Sequence, residues 1–164
     1  MGGGAADLGE PARAYEPVVE RFGPRPASDR TILVGVDGSD TAMRAAAYAF
    51  GLARRQNWRL FVTFVAARST LALTGAAVAF EHGSQCELHA ELRGEIRSAA
   101  EELRVPVTFV MVHGDPVTAL RDAADCCHAD TVVVGASTSA GHRIAGSVAT
   151  RLIRTGRWPV VVVP

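Results

Sequence analysis

Residues 129–164 read ADTVVVGASTSAGHRIAGSVATRLIRTGRWPVVVVP, and the alternation inside them decides the fold. Thr131 to Val134 is a short β-branched run, the mark of a buried strand, and it stops at Gly135. A loop of small residues follows. Gly146-Ser147 then opens a short helix that ends near Gly156, and Val160 to Val163 closes the chain as a second valine-rich strand. Strand, loop, helix, strand is the repeating unit of a parallel sheet. Gly135 has no Cβ, so a ligand can approach the backbone closely there. The helix start beyond it presents unpaired N–H groups and the positive end of the helix dipole, a setting that favours an anionic phosphate.

Upstream the same alternation recurs. Thr31 to Val36 (TILVGV) is a buried strand, punctuated by Asp37-Gly38-Ser39-Asp40. Ser39 or Asp40 can cap the next helix, whose apolar positions Met43, Ala46, Ala47, Phe50 and Ala53 recur at helical spacing up to about Gln56, with Asn57 as the stop. Arg59 to Ala66 is a second strand. Ala67 to Gly83 has no clear period and reads as a loop with room for a short helix. Glu87 to Leu103 is a helix with Leu88, Leu92, Ile96, Ala99, Ala100 and Leu103 as its inner stripe. Pro106 allows only a strand start or an edge position, so Val105 to Val112 is expected at the sheet edge. His113-Gly114-Asp115-Pro116 is a turn, and Pro116 suits the first position of a helix over Val117 to Cys127. Residues 1–30 carry four prolines and no sustained period, and are expected to be a mostly disordered tail before a single domain at 31–164; Tyr15, Val18, Val19 and Phe22 are the segment of it that could dock. Alternating strands and helices imply a parallel sheet with helices on both faces, and a ligand crevice beyond the carboxyl ends of the strands. If the first and fourth strands are neighbours, Asp37 and Gly135 face each other across it.

The totals exclude several classes. Lys+Arg 17 balances Asp+Glu 17, and every one of those cations is an arginine. With no net charge, binding to nucleic acid or an anionic membrane through bulk charge is disfavoured. No run approaches the roughly 20 apolar residues of a membrane span, and the N-terminus has no signal pattern. Cys86, Cys126 and Cys127 make no disulfide framework, which fits small thiols in a reducing compartment, with a redox role for the vicinal pair as the lesser reading. A cytoplasmic location is expected. Without lysine there is no P-loop ammonium, and no G-x-G-x-x-G follows the first strand.

Three segments in order, ILVGVDGSDTA, VHGDPVTAL and VVVGAS…GSVATRLIRTGRWPVVVVP, resemble the universal stress protein family over Thr31 to Pro164. The resemblance implies an open parallel five-stranded sheet of order 3-2-1-4-5, helices on both faces, of the adenine nucleotide alpha hydrolase-like kind. It implies a homodimer and, as in many members, bound ATP or another adenine nucleotide (ADP, AMP), with or without Mg2+. Carried over by position, Asp37 meets the ribose and the backbone of Val65 meets the adenine. Gly135 opens the nucleotide loop, and Gly146 and Ser147 donate to the phosphates. The family's ATP-binding members carry G-x-x-G, nine residues, then G-S or G-T. Here Thr138 replaces the second glycine and the loop is two residues shorter. Thr138 restricts the backbone, while Ser137, Ser139, His142 and Arg143 offer hydroxyls and charge toward a phosphate. The alternatives are a member that keeps the fold and acts through protein contacts without nucleotide, and a slow ATPase.

Other constellations compete. His82, Cys86 and His89 sit at zinc-ligand spacing on one helix face, and read first as solvated polar residues. Gly135 to Ser139 lacks the second glycine of a nucleophile elbow. Asp37 and Gly114-Asp115-Pro116 are also ordinary cap and turn residues. Arg151 and Arg154 are expected to be solvated on the last helix. Val160 to Val163 is apolar on both faces at an expected sheet edge, which gives pairing with a second copy through this strand a physical motive.

Overall fold

The structure, a computed structural model, describes residues 18–66, 75–137 and 146–164, without the side chains of 75–86. Tyr15, the stretch 67–74, Thr138, Ser139, His142 and Arg143, and the His82 and Cys86 side chains therefore lie outside the described residues. In chain order the elements are β1 (Val18–Phe22), β2 (Thr31–Val36), α1 (Asp40–Gln56), β3 (Arg59–Ala66), α2 (Gly75–Glu102), β4 (Val107–His113), α3 (Pro116–Cys126), β5 (Thr131–Gly135), α4 (Ser147–Thr155) and β6 (Val160–Val163). They form a six-stranded sheet of order β1-β4-β3-β2-β5-β6. Every pairing is parallel except β1 on β4. Without β1, the order is the 3-2-1-4-5 expected for five strands.

Helices cover both faces. α1 and α2 pack on one, through Ala45, Ala49, Phe50, Leu92 and Ile96 against Ile32, Val34, Val62 and Phe109. α3 and α4 pack on the other, through Leu120, Ala124 and Leu152 against Leu33, Val65, Val132 and Val134. The central strands β2 and β3 are buried on both sides, which is why TILVGV and RLFVTFVA read as unbroken apolar runs. Ser39 caps α1 and accepts from Ala42 N, and Asn57 ends it in the left-handed conformation. The small side chains of α1 let it lie close to the sheet. Its stripe runs through Ala42, Ala45, Ala46 and Ala49, and Ala47 is exposed rather than part of it.

Three expectations are corrected. Val18–Phe22, inside the stretch 1–30 read as a disordered tail, is a strand antiparallel to β4. It is fastened from above: Glu20 forks onto Arg93 of α2, and Phe22 lies against Phe109 under the guanidinium groups of Arg93 and Arg97. The strand at Val107–His113 is consequently internal and not an edge; Pro106 sits just before it, and its carbonyl accepts from Leu60 N. α2 begins at Gly75, not Glu87. Gly75 looked like loop punctuation but stands at the helix start, and an interior glycine such as Gly83 costs only about 1 kcal/mol relative to alanine, which a long helix docked on a sheet absorbs. Among the described residues no helix is long and apolar enough to cross a membrane.

Two predictions follow from this packing. Thr63, in the middle of β3, is fully buried and its hydroxyl has no hydrogen-bond partner among the described residues. Thr63→Val keeps the shape and removes the orphan, so urea denaturation should show a gain of about 1 kcal/mol. The Arg93 guanidinium holds the Glu20 carboxyl below its ordinary value of 4.5, chiefly through their hydrogen bond. A lowered carboxyl stabilises the fold above its ordinary value, and the contribution is lost as pH falls through the lower folded one. Glu20→Gln should thus be less stable than the parent at neutral pH, with the gap closing in the acid range below 4.5.

Candidate functional site

β2 and β5 are direct neighbours, with Ile32, Leu33 and Val34 opposite Thr131, Val132 and Val133. Parallel strands carry their following loops to the same end of the sheet, so the turn after Val36 and the turn after Gly135 open on one crevice. That crevice encloses about 370 Å³. Asp37 and Ser39 stand on one side, Gly135, Gly146 and Ser147 on the other, and Val65 closes the floor at the end of β3. Five of the seven residues singled out from the sequence are thereby brought together; Thr138 and Arg143 lie outside the described residues. Pro116 and Leu120 of α3 complete the wall. Sequence reading missed both, although an Asp cap followed by Pro at the helix start marks a helix that begins at this end of the sheet.

Each polar group has a local cause. Asp37 Oδ1 accepts from Ser39 N at 3.0 Å, an Asx turn that aims the chain into α1. The side chain is exposed, and Oδ2 has no bond among the described residues. Asp37 is thus both the turn residue and a carboxylate on the crevice wall. α4 starts at Gly146, whose missing side chain leaves the first turn without a side-chain cap. Its leading N–H groups have no side-chain cap among the described residues, and Ser147 and Val148 line the crevice beside them.

Both glycines are closely packed by the protein itself. A Cβ on Gly135 would lie 2.6 Å from the carbonyl carbon of Thr41 and 2.7 Å from Ala42 N. A close approach there is made by the first turn of α1. A Cβ on Gly146 would come within 2.5 Å of the Ser137 Cβ, so the two ends of the loop 137–146 close on each other.

Of His82, Cys86 and His89, only the His89 side chain is among the described residues. His89 stacks between Phe64 and Phe109, at centroid distances of 5.9 and 5.6 Å, which turns it into the core. Among the described residues there is no group of three potential metal ligands. Burial pushes the Cys127 thiol up to about 12, so it stays protonated at neutral pH, while Cys126 is exposed. Arg151 is not simply solvated: its Nη1 pairs with Asp115 Oδ1 at 3.3 Å. A second hollow of about 450 Å³ lies among β1, β4 and α3, where Val19, Phe61, Val110 and Val112 make a mostly apolar surface with Asp115, Thr118 and Asp122 along α3. The smaller crevice has the converging polar groups that a binding site needs.

The universal stress protein family model matches residues 29–164. The chain belongs to the universal stress protein family. A universal stress protein of Methanocaldococcus jannaschii is 28% identical over 138 residues, covering 82% of this chain and 81% of that protein. Among solved structures, a family member from Burkholderia pseudomallei is 26% identical with a TM-score of 0.66, over 85% of this chain and 99% of the other. UspA from Lactobacillus plantarum is 25% identical with a TM-score of 0.66, over 84% and 99%. A universal stress protein in complex with cAMP is 29% identical with a TM-score of 0.60, over 82% and 97%. β1 precedes the region that the universal stress protein model matches.

Gly135→Ala tests the packing role of that glycine. Its Cβ would meet backbone, which cannot swing away, so denaturation should show a loss of about 1–3 kcal/mol without any ligand present. A variant as stable as the parent would contradict the close fit of α1 on β5.

Proposed function

We propose that this universal stress protein is a cytoplasmic homodimer that binds an adenine nucleotide in the crevice between Asp37 and Ser147 and acts in the stress response by binding more than by turnover. The observation that carries the reading is that the start of α4 and the Asp37 carboxylate line one crevice, the helix start with no side-chain cap and Asp37 Oδ2 with no bond among the described residues. The two ends of the crevice suit the two ends of a nucleotide. Asp37 Oδ2 accepts from ribose hydroxyls, while the amides of α4 and the Ser147 hydroxyl donate to phosphate. The backbone of Val65 meets the adenine, and Gly135 and Gly146 shape the loop between. In this reading Thr138 and Arg143 border the phosphates. The family relative in complex with cAMP supports the choice of an adenine nucleotide. With no set of three protein ligands among the described residues, Mg2+ would be held mainly by phosphate oxygens.

The dimer follows from β6. It has β5 on one side only, and its four valines are half-buried, Val161 and Val163 toward the α1 face and Val160 and Val162 toward α4. Pairing with β6 of a second copy covers an apolar edge that would otherwise template aggregation. Sedimentation at micromolar concentration should give a dimer.

A second reading, a family member that works through protein partners without nucleotide, is favoured by one observation. Gly135 is accounted for by its contact with Thr41 and Ala42 and does not by itself call for a ligand. Thermal shift with ATP, ADP and AMP separates the two. At a hundredfold excess over Kd the nucleotide reading predicts about 2.7 kcal/mol of added stability, most of it lost in Asp37→Ala. Silence at millimolar nucleotide would leave the second reading.

A further inference from the structure

Three helices begin around the crevice, and their first turns are finished differently. Ser39 Oγ caps α1, accepting from Ala42 N at 3.3 Å. Asp115 caps α3, with Oδ2 accepting from Thr118 N at 2.9 Å and from Thr118 Oγ1 at 3.0 Å. Among the described residues α4 has neither device. What it has is Arg151, four residues along and on the same stripe as Ser147. Helical side chains lean toward the N-terminus, and four residues rise about 6 Å, within an arginine's reach. Its Nη1 lies 3.3 Å from Asp115 Oδ1. Asp115 itself borders the second hollow, and the next residue, Pro116, lines the crevice wall.

That pair has the character of a resting place. It is a single contact rather than a two-pronged fork, and the side chains are 57% and 46% exposed. Such pairs contribute little in water. Asp115 does not depend on the arginine either, since the Thr118 amide, followed by the Thr118 hydroxyl, is the main cause holding its carboxyl below the usual range. A phosphate carries more charge than a carboxylate and accepts a guanidinium fork in two bonds.

We propose that Arg151 selects for phosphate number: it leaves Asp115 to hold the outer phosphate of a nucleoside di- or triphosphate, and stays on Asp115 when a monophosphate is bound. This rests on the nucleotide reading above. The first phosphate takes the α4 amides; the second falls on the Arg151 side of the crevice rim. Asp115 is then a competitor for the cation, and its charge weakens binding of the longer ligands.

Calorimetric titration of ADP and of AMP into the full chain, the parent beside Arg151→Gln and Asp115→Asn, tests this. Arg151→Gln should weaken ADP about tenfold and change AMP less than about twofold, since one charge-assisted contact is lost for ADP alone. Asp115→Asn keeps the cap, because asparagine caps as well as aspartate. It should tighten ADP by about two- to fivefold, the scale of a surface pair, and leave AMP unchanged. Equal loss of both ligands in Arg151→Gln, or no loss of either, overturns the role of Arg151 while the nucleotide reading stands. A parent protein that binds neither ligand overturns both.

Discussion

The contact on which the rest depends is the seating of α1 on the end of β5. β2 and β5 run parallel in fixed register, and the helix that follows β2 crosses back so that Thr41 and Ala42 press on Gly135. Only a residue without a Cβ leaves room. The consequence is geometric: Asp37 and Ser39, which precede α1, are carried to one side of the crevice, while the chain leaving Gly135 forms the other. Ser137 and Gly146 then meet, which sets the start of α4 across from Asp37. The Asp37 carboxylate and the start of α4 thus line one small hollow, the one negative and the other the positive end of a helix. That polarity is the basis for reading a sugar phosphate into it.

β1 modifies the universal stress protein sheet at the far edge from β6. β1 is one edge of the sheet and β6 the other. β1 carries Glu20 and Arg21 beside the exposed Val18 and Val19, whereas β6 is four valines. In the dimer proposed above, the uncharged edge is the one that pairs.

Most of the architecture was legible because it is written locally. TILVGV, RLFVTFVA and TVVVG are too short and too β-branched to be anything but strands, and Ser39, Asn57, Asp115 and Gly156 mark helix ends by their own chemistry. Asp37, Gly135, Gly146 and Ser147 of the crevice were legible for the same reason, each sitting where an element begins or ends, while Val65 was supplied by the family resemblance. What was not legible was nonlocal. β1 reads as VVERF between prolines, and its partner lies more than eighty residues away; its alternation shows only once Glu20 and Phe22 are seen against α2 and Val19 against the other face. Whether β2 and β5 touch is likewise a property of the whole chain, and only the family resemblance supplied it beforehand. Gly135 was read as room for a ligand because a glycine after a strand serves either purpose, and sequence does not say which neighbour fills the space. Arg151 was read as solvated because its partner comes from another helix.

The most direct measurement is amide NMR of the labelled protein during titration with ADP. The account predicts shifts concentrated at residues 35–42, 135–137 and 146–149, with the opposite end of the sheet near Arg30, Arg59 and Val105 unmoved. Shifts gathered instead around Val19, Val110 and Cys126, or none at saturating nucleotide, would contradict it.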